Sequence, residues 1–162
     1  MVHKAVPQLT RPGRGPSCEV RPCEVRPERG GRDAGAVDYD AAMAKKLVIK
    51  VTAGADAPER CSQAFTVAAV AVASGVDVSV WLTGESAWFA LPGRAAEFEL
   101  PHAAPLPDLI DSVLAAGRLT LCTQCAARRD ITEQDVIEGV RIAGAQVFVQ
   151  EALAEDTQAL VY

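Results

Sequence analysis

The pattern of hydrophobic and polar positions changes near residue 46. From there to the C-terminus, short runs of β-branched and aliphatic residues alternate with segments whose apolar residues recur at helical spacing. The short runs predict strands at 47–52, 76–82, 118–121, 146–149 and 158–162, and the helical spacing predicts helices at 59–74, 107–117 and 132–143. Strands that alternate with helices are typical of a parallel sheet covered on both faces. We therefore expect an α/β fold, a three-layer α/β/α sandwich around a mostly parallel sheet of about five strands.

The first predicted helix, 59–74, is apolar on almost every side. Pro58 stands where the first turn of a helix tolerates proline, and Gly75 ends the helix. A helix that is apolar all round is typically covered on two sides. We expect the sheet on one side and a neighbouring subunit on the other.

The C-terminal third contains two further local signals. Thr132 and Asp135 have the spacing of a capping box, which predicts the start of a helix that runs to about Ala143. The run 146–149 is then expected to be a strand, because it is rich in apolar and β-branched residues. The last residues, 158–162, are expected to add a strand or to dock across the edge of the sheet.

Residues 1–42 have a different composition from the rest of the chain. They are rich in proline, arginine and glycine and contain a tandem pentapeptide, 18–22 followed by 23–27. Such a segment buries too little apolar surface to offset its ordering entropy, so we predict disorder. Met43 resembles a natural translation start, which would make 1–42 an over-extended reading frame; a Cys/Arg-rich regulatory arm is the alternative. The predicted domain is 43–162.

Composition and charge narrow the classes of function. The formal charge is −5, made up of +1 for residues 1–42 and −6 for 43–162. A net-acidic domain argues against direct nucleic-acid binding through phosphate contacts. The sequence has no uninterrupted apolar run long enough to predict a membrane span. Near Met1 it also lacks the apolar segment that is typical of a secretory signal. We expect a cytoplasmic protein without membrane attachment, whose five cysteines are free thiols rather than disulfides.

Cys122 is the candidate reactive residue. It directly follows a predicted buried strand, and reactive groups collect beyond the carboxyl ends of the strands in open parallel sheets. If a helical turn begins at Thr123, the free N–H groups of that turn favour the thiolate, which is the nucleophilic form. Arg128 and Arg129 add positive charge within one or two turns. These features predict chemistry at the Cys122 sulfur.

The segment 121–131, Leu-Cys-Thr-Gln-Cys-Ala-Ala-Arg-Arg-Asp-Ile, resembles the active-site segment of the DsrE/DsrF-like family. In that family a strand delivers a cysteine into a Cys-x-x-x-Ala-x-Arg-Arg-Gly-Val/Ile stretch or a Cys-x-x-Cys-x-x-x-Arg-Gly-Ile stretch. The turn Thr83-Gly84-Glu85 also stands where relatives often have a short Gly-acidic turn. The resemblance covers roughly residues 46–162 by pattern. Asp130 is a departure, since relatives usually have glycine there, although aspartate tolerates a left-handed turn better than most residues.

The resemblance implies a sulfurtransferase-like, sulfur-relay protein that forms a homo-oligomer, a trimer or a hexamer. Cys122 then carries sulfane sulfur as a persulfide, and Cys125 matches the second cysteine of the Cys-x-x-Cys relatives and is able to resolve the adduct and release sulfide. The sulfur donor and acceptor are not specified. No cofactor and no metal are expected. The candidate pocket residues are Arg128 and Arg129 after the cysteines and Gly54, Gly84 and Glu85 in loops that follow strands.

Three alternatives stay open at this point. The cysteines are also compatible with a non-catalytic, oligomeric binding or regulatory subunit, in which they are small buried side chains. A dithiol redox protein would use the same Cys122/Cys125 pair, but the flanking residues of thioredoxin-like motifs are absent. Structural zinc needs four ligands, and only Cys61 and His102 remain as candidates beside the pair. Cys61 is expected to be a packing residue and His102 an exposed loop residue.

Overall fold

The computed structural model describes residues 46–162. The predicted disordered tail, 1–42, and the proposed start at Met43 lie outside the described residues. The described strands are β1 (Lys46–Val51), β2 (Asp77–Leu82), β3 (Arg118–Cys122), β4 (Val140–Ala143) and β5 (Thr157–Val161). The described α-helices are α1 (Pro58–Ala73), α2 (Leu106–Ala116), α3 (Thr123–Ala127) and α4 (Ala145–Ala152), and two 3₁₀ helices span Gly84–Ala90 and Arg94–Glu97.

The five strands form one sheet in the order β4-β3-β2-β1-β5, and every neighbouring pair is parallel. The predicted α/β fold is therefore confirmed, with a sheet that is parallel throughout. The predicted strand at 158–162 is confirmed as β5, which pairs with β1. Because all strands run in one direction, their carboxyl ends lie at the same edge of the sheet, and the loops that follow β1, β2 and β3 meet there.

One face of the sheet carries the main hydrophobic core. Alternate residues of each strand point to this face, where α1 and α2 pack against them and against each other. The fully buried side chains from both layers include Ile49, Phe65, Val80, Val113 and Leu121. On the outer side of α1, Val70 is 60% exposed, and the expected neighbouring subunit stays a prediction.

The opposite face is covered by α4 and is held by polar and aromatic contacts. The Phe148 ring packs edge-on against Trp81 at 5.4 Å, and the Lys50 ammonium lies 5.2 Å from the Phe148 ring centroid. The Glu151 carboxylate accepts hydrogen bonds from Ser79 and from the Trp81 indole. Since no residue of α4 is fully buried, these contacts are what fixes the helix on the sheet.

The prediction for 132–149 was wrong. The segment 140–143 is the strand β4 rather than the end of a helix, and 146–149 lies within α4 rather than in a strand. Thr132 does pair with Asp135, through the backbone N–H at 2.8 Å and the hydroxyl at 2.6 Å, but this pair closes a turn. Gly139 then adopts φ +89°, a left-handed conformation that ends any helical run before β4.

The other predicted elements are confirmed to within one or two residues of their ends. The segment after Thr83 is a 3₁₀ helix that begins at Gly84, and residues 98–100 are irregular. Within residues 46–162, none of the helices combines the length and the apolar character needed to cross a membrane.

Candidate functional site

Cys122 is the last residue of β3 and directly precedes α3. Its side chain is partly exposed, whereas the strand residues before it, from Leu119 to Leu121, are buried. β3 lies between β2 and β4, and Cys122 is in register with Ala143, the last residue of β4. The structure therefore places this thiol at the carboxyl edge of the sheet, as the sequence predicted, and within reach of solvent.

Cys125 lies one turn later on α3 and has a different environment. Its residue is only 8% exposed. The backbone N–H of Gly84, in the turn after β2, donates a hydrogen bond to the Cys125 Sγ at 3.3 Å. The motif therefore contains one accessible thiol, Cys122, and one buried thiol, Cys125. Among the described contacts, only the Cys125 sulfur accepts a hydrogen bond from a backbone N–H.

Gly84 and Gly54 allow the loops after β1 and β2 to touch. Gly84 has φ +55°, and a Cβ on it would lie 2.6 Å from the carbonyl oxygen of Thr52. A Cβ on Gly54 would lie 2.8 Å from the carbonyl carbon of Glu85. No other residue type fits this close approach without a shift of backbone. Both predicted pocket glycines therefore shape the edge of the sheet beside the cysteines by their lack of a side chain.

Arg129 ties α3 to the turn after β2. Its guanidinium pairs with the Glu85 carboxylate at 2.7 Å and donates to the Cys125 carbonyl oxygen at 3.4 Å. The same group stacks on Trp88, with 5.3 Å between Cζ and the ring centroid. The Arg129 side chain is 13% exposed, and its Nε is buried without a hydrogen-bond partner. Arg129 and Glu85, both predicted from the sequence, thus form one linked structure with Cys125.

Arg128 has a different position from its neighbour. It is exposed, and it forms no salt bridge with any residue in the described range 46–162. The adjacent arginines therefore divide into a structural one, Arg129, and a solvent-facing one, Arg128. A single sequence does not distinguish the two arginines, because Glu85, whose carboxylate pairs with Arg129 and not with Arg128, is far from both in the chain.

Asp130 occupies a left-handed turn at the end of α3, with φ +52°. The Ile131 N–H bonds to the Ala126 carbonyl at 3.0 Å, and the Asp130 N–H bonds to the Ala127 carbonyl at 3.4 Å. This pair of hydrogen bonds is the Schellman ending of a helix, which glycine occupies most often. The expectation that aspartate tolerates this turn is confirmed, and the departure from the family motif leaves the backbone geometry intact.

A pocket of about 240 Å³ opens beside this structure. Its wall consists of three aromatic and three charged residues together with Ala55: Trp88, Phe89, Phe98, Glu85, Arg94 and Glu97. Arg94 pairs with Glu97 at 3.0 Å and also lies over the Trp88 ring. Of the predicted pocket residues, Glu85 alone lines this pocket, and neither cysteine does. The aromatic wall was not predicted from the sequence, because its residues come together only through the two 3₁₀ helices.

Cys61 and His102 have contrasting environments, since one lies in the core and the other in an exposed loop. Cys61 is fully buried in the core, where burial raises the pKa of its thiol to about 12, with a smaller contribution from the Asp56 carboxylate. His102 is exposed in a loop, with φ +63°. The expectations of a packing cysteine and an exposed histidine are confirmed. No group of three or more potential metal ligands occurs within residues 46–162.

The buried Cys61 thiol predicts a pH dependence of stability. The free energy of unfolding is expected to fall as the pH rises from 9 toward 12, because the unfolded thiol loses its proton near 9 while the folded one keeps it to about 12. The contribution is complete below pH 9, and the expected slope above it is about 1.4 kcal/mol per pH unit. Urea unfolding at several pH values measures the slope. Cys61→Ala should lack it, and equal slopes in both proteins would contradict the assignment.

The sequence pattern of the DsrE/DsrF-like family matches residues 45–158, well over half of the chain. The chain belongs to the DsrE/DsrF-like family. The resemblance seen in the segment 121–131 is thereby confirmed, and it extends over residues 45–158. In this chain the cysteine that ends β3 precedes the short helix α3 and an arginine pair.

Three similar proteins place this DsrE/DsrF-like chain among known sequences and structures. Uncharacterized protein MJ0760 of Methanocaldococcus jannaschii is 31% identical over 105 residues, which cover 64% of this chain and 38% of the relative. This chain thus spans well under half of that relative's length. The crystal structure of YchN from E. coli superposes with a TM-score of 0.61 at 20% identity, covering 72% of this chain and 98% of YchN. MTH1491 from Methanobacterium thermoautotrophicum, a protein of unknown function, gives 0.56 at 11% identity over the same shares. Both share the fold.

Proposed function

We propose that this protein is a sulfur-relay protein that carries sulfane sulfur as a persulfide on Cys122. The observation that supports this most directly is the contrast between the two thiols: Cys122 is accessible at the carboxyl edge of a parallel sheet, and Cys125 behind it is buried. Membership of the DsrE/DsrF-like family also supports the proposal, because the segment 121–131 resembles the active-site segment of that family. An accessible thiol at such an edge is suited to exchange with another molecule.

The relay consists of two transfers of one sulfur atom. The Cys122 thiolate attacks the outer sulfur of a donor persulfide, the donor S–S bond breaks, and the donor leaves as a thiolate. Cys122 then holds an Sγ–S bond. In the second transfer an acceptor thiolate attacks the outer sulfur, and Cys122 leaves as a thiolate. No net oxidation or reduction occurs, so the relay needs no redox cofactor.

Arg128 supports both transfers in this proposal. Each step involves anionic sulfur at Cys122, and Arg128 is an exposed cation six residues further on that no carboxylate within the described range neutralises. An exposed, unpaired cation on the segment that follows this thiol attracts an anionic donor. Arg129 has a different role, because its charge is already paired with Glu85.

The experiment that tests the proposal is sulfur loading of the full chain. The protein is mixed with a low-molecular-weight thiol persulfide, and peptide mass spectrometry locates the added sulfur atom. We expect it on Cys122, and we expect Cys122→Ser to abolish the addition at this peptide. Cys61→Ala is the matched control, since it removes a cysteine that belongs to the buried core. Wild-type protein that gains no sulfur on Cys122 would favour the binding-subunit alternative instead.

A further inference from the structure

The pocket with the aromatic wall has no part in the sulfur relay. Ala55, in the loop after β1, and residues of the two 3₁₀ helices after β2 line it, on the side of an open parallel sheet where ligands bind. Its volume of about 240 Å³ is below the roughly 300–1,000 Å³ of pockets for drug-sized ligands, so its occupant is a small molecule. Neither Cys122 nor Cys125 lines the pocket, and binding there does not depend on the proposed function.

Three aromatic rings form the apolar part of the wall. Phe89 and Phe98 lie edge to face, with 5.7 Å between their centroids. Trp88 lies close to two guanidinium groups, those of Arg94 at 5.6 Å and Arg129 at 5.3 Å from its ring centroid. The faces of aromatic rings carry partial negative charge and attract cations. The Trp88 ring thus already binds positive groups of the protein itself.

Two carboxylates lie in the same wall, and each uses only one of its oxygens. Glu85 binds Arg129 through Oε1 at 2.7 Å, and Glu97 binds Arg94 through Oε2 at 3.0 Å. Within residues 46–162, neither of the other two oxygens accepts a hydrogen bond. The wall has two carboxylates against one guanidinium, and residues 43–162 carry a charge of −6. Both excesses favour a cation over an anion in the pocket.

Arg94 occupies the position that a bound cation would take. Its guanidinium lies over the Trp88 ring and pairs with Glu97, and its side chain is 47% exposed. Exposed ion pairs of this kind are weak, because both partners remain well solvated. A ligand cation that makes the same two contacts therefore displaces the Arg94 guanidinium into solvent at little cost. Arg94 is in this sense an internal competitor for the cation position.

We propose that this pocket binds a small organic amine in its ammonium form, with a flat apolar body. The body packs against Phe89 and Phe98, and the ammonium group lies over Trp88. Its three N–H donors reach the carboxylate oxygens of Glu85 and Glu97 that have no protein partner. An alkylamine has a pKa close to that of lysine, about 10.4, so the ligand is charged at neutral pH.

Calorimetric titration of the full chain with three probes tests the charge of the ligand. The probes share a phenyl body and differ in the end group: 2-phenylethylammonium, 2-phenylethanol and 3-phenylpropanoate. We expect the ammonium probe to bind about tenfold more tightly than the alcohol, from cation–π contact and charge-assisted hydrogen bonds. The carboxylate probe should bind no more tightly than the alcohol. An ammonium probe that does not bind, or that binds no more tightly than the alcohol, overturns the proposal.

Arg94→Gln is expected to increase the affinity for the ammonium probe about fivefold, because it removes the internal competitor and one positive charge. A gain of affinity of this kind does not arise from a loss of folding. If the variant instead binds the ammonium probe more weakly, Arg94 helps to hold the ligand and the proposed competition is wrong.

Glu97→Gln is expected to weaken binding of the ammonium probe about fivefold and to leave binding of the alcohol unchanged. The matched control is Glu99→Gln, which changes the net charge equally at an exposed residue two positions further on, in the wall of a different cavity. Its affinity for the ammonium probe should stay within about twofold of wild type. Equal losses in the two variants would mean that only the overall charge matters, and they would overturn the assignment of Glu97.

Ala55→Phe tests the location. Ala55 is exposed, so the added ring fills the pocket without removing a packed side chain. Binding of both the ammonium probe and the alcohol is expected to weaken by at least about tenfold, because the space for the phenyl body is lost. Urea unfolding verifies that the variant is folded. A folded Ala55→Phe protein that binds both probes with wild-type affinity shows that they bind elsewhere, and this result would overturn the proposal.

Discussion

Glu151→Ala is expected to lower the free energy of unfolding by about 3 kcal/mol. One carboxylate oxygen of Glu151 accepts from the Ser79 hydroxyl and from the Trp81 indole N–H, each at 2.8 Å, and the other binds Arg141. Ser79 and Trp81 are buried in the sheet. The truncation leaves two buried donors without an acceptor and also removes the polar anchor of α4. Buried groups without partners cost more than the net gain of the bonds they lost.

Urea unfolding of the purified full chain measures this change. The matched control is Glu97→Ala, which also breaks a carboxylate–arginine pair but an exposed one, and its expected cost is below about 1 kcal/mol. The pH dependence gives an independent check. Partial burial acts to raise the Glu151 pKa, but the bonds from Trp81, Ser79 and Arg141 outweigh it and lower the pKa. The stabilisation is therefore present above the ordinary glutamate pKa and is lost as the pH falls through the lowered one. Equal destabilisation by both variants would contradict this account.

The same network explains where sequence patterns failed. The run 146–149 contains Val147, Phe148 and Val149, whose intrinsic preference is for strands, yet it is helical in α4. The chain must return from β4 at one edge of the sheet to β5 at the other, and a parallel connection of this kind usually contains a helix. Once Phe148 packs on Trp81 and Glu151 binds Ser79, tertiary contacts override the local preference.

In the candidate site, too, some features follow from residues nearby in sequence and others depend on contacts between residues far apart in sequence. The strand-end position of Cys122 and the helical turn that carries Cys125 follow from local pattern, since each depends on residues nearby in sequence. The pairing of Arg129 with Glu85 and the bond from Gly84 to Cys125 join residues more than forty positions apart. A single sequence contains no local signal for such contacts. Gly84 and Glu85 were predicted as pocket residues, but their partners came only from the structure.

Gly84→Ala is expected to cost about 3 kcal/mol of stability and to disturb the turn that holds Cys125. Gly84 has φ +55°, a conformation that L side chains adopt only with strain. The added Cβ would also lie 2.6 Å from the Thr52 carbonyl oxygen, so the turn must move away from β1. That movement weakens the bond from the Glu85 N–H to Thr52, at 3.1 Å, and the bond from the Gly84 N–H to Cys125, at 3.3 Å.

Gly75→Ala separates these two causes. Gly75 has φ +81°, and a Cβ on it would meet no atom within 4 Å. Its expected cost is about 1 kcal/mol, which is the backbone penalty alone. The difference between the variants in urea unfolding measures the cost of the close approach to Thr52. If both lose the same stability, the close approach contributes nothing, and glycine at position 84 is required only for its backbone angle. A larger loss at Gly84 instead means that close packing between the loops after β1 and β2 fixes the turn against Cys125.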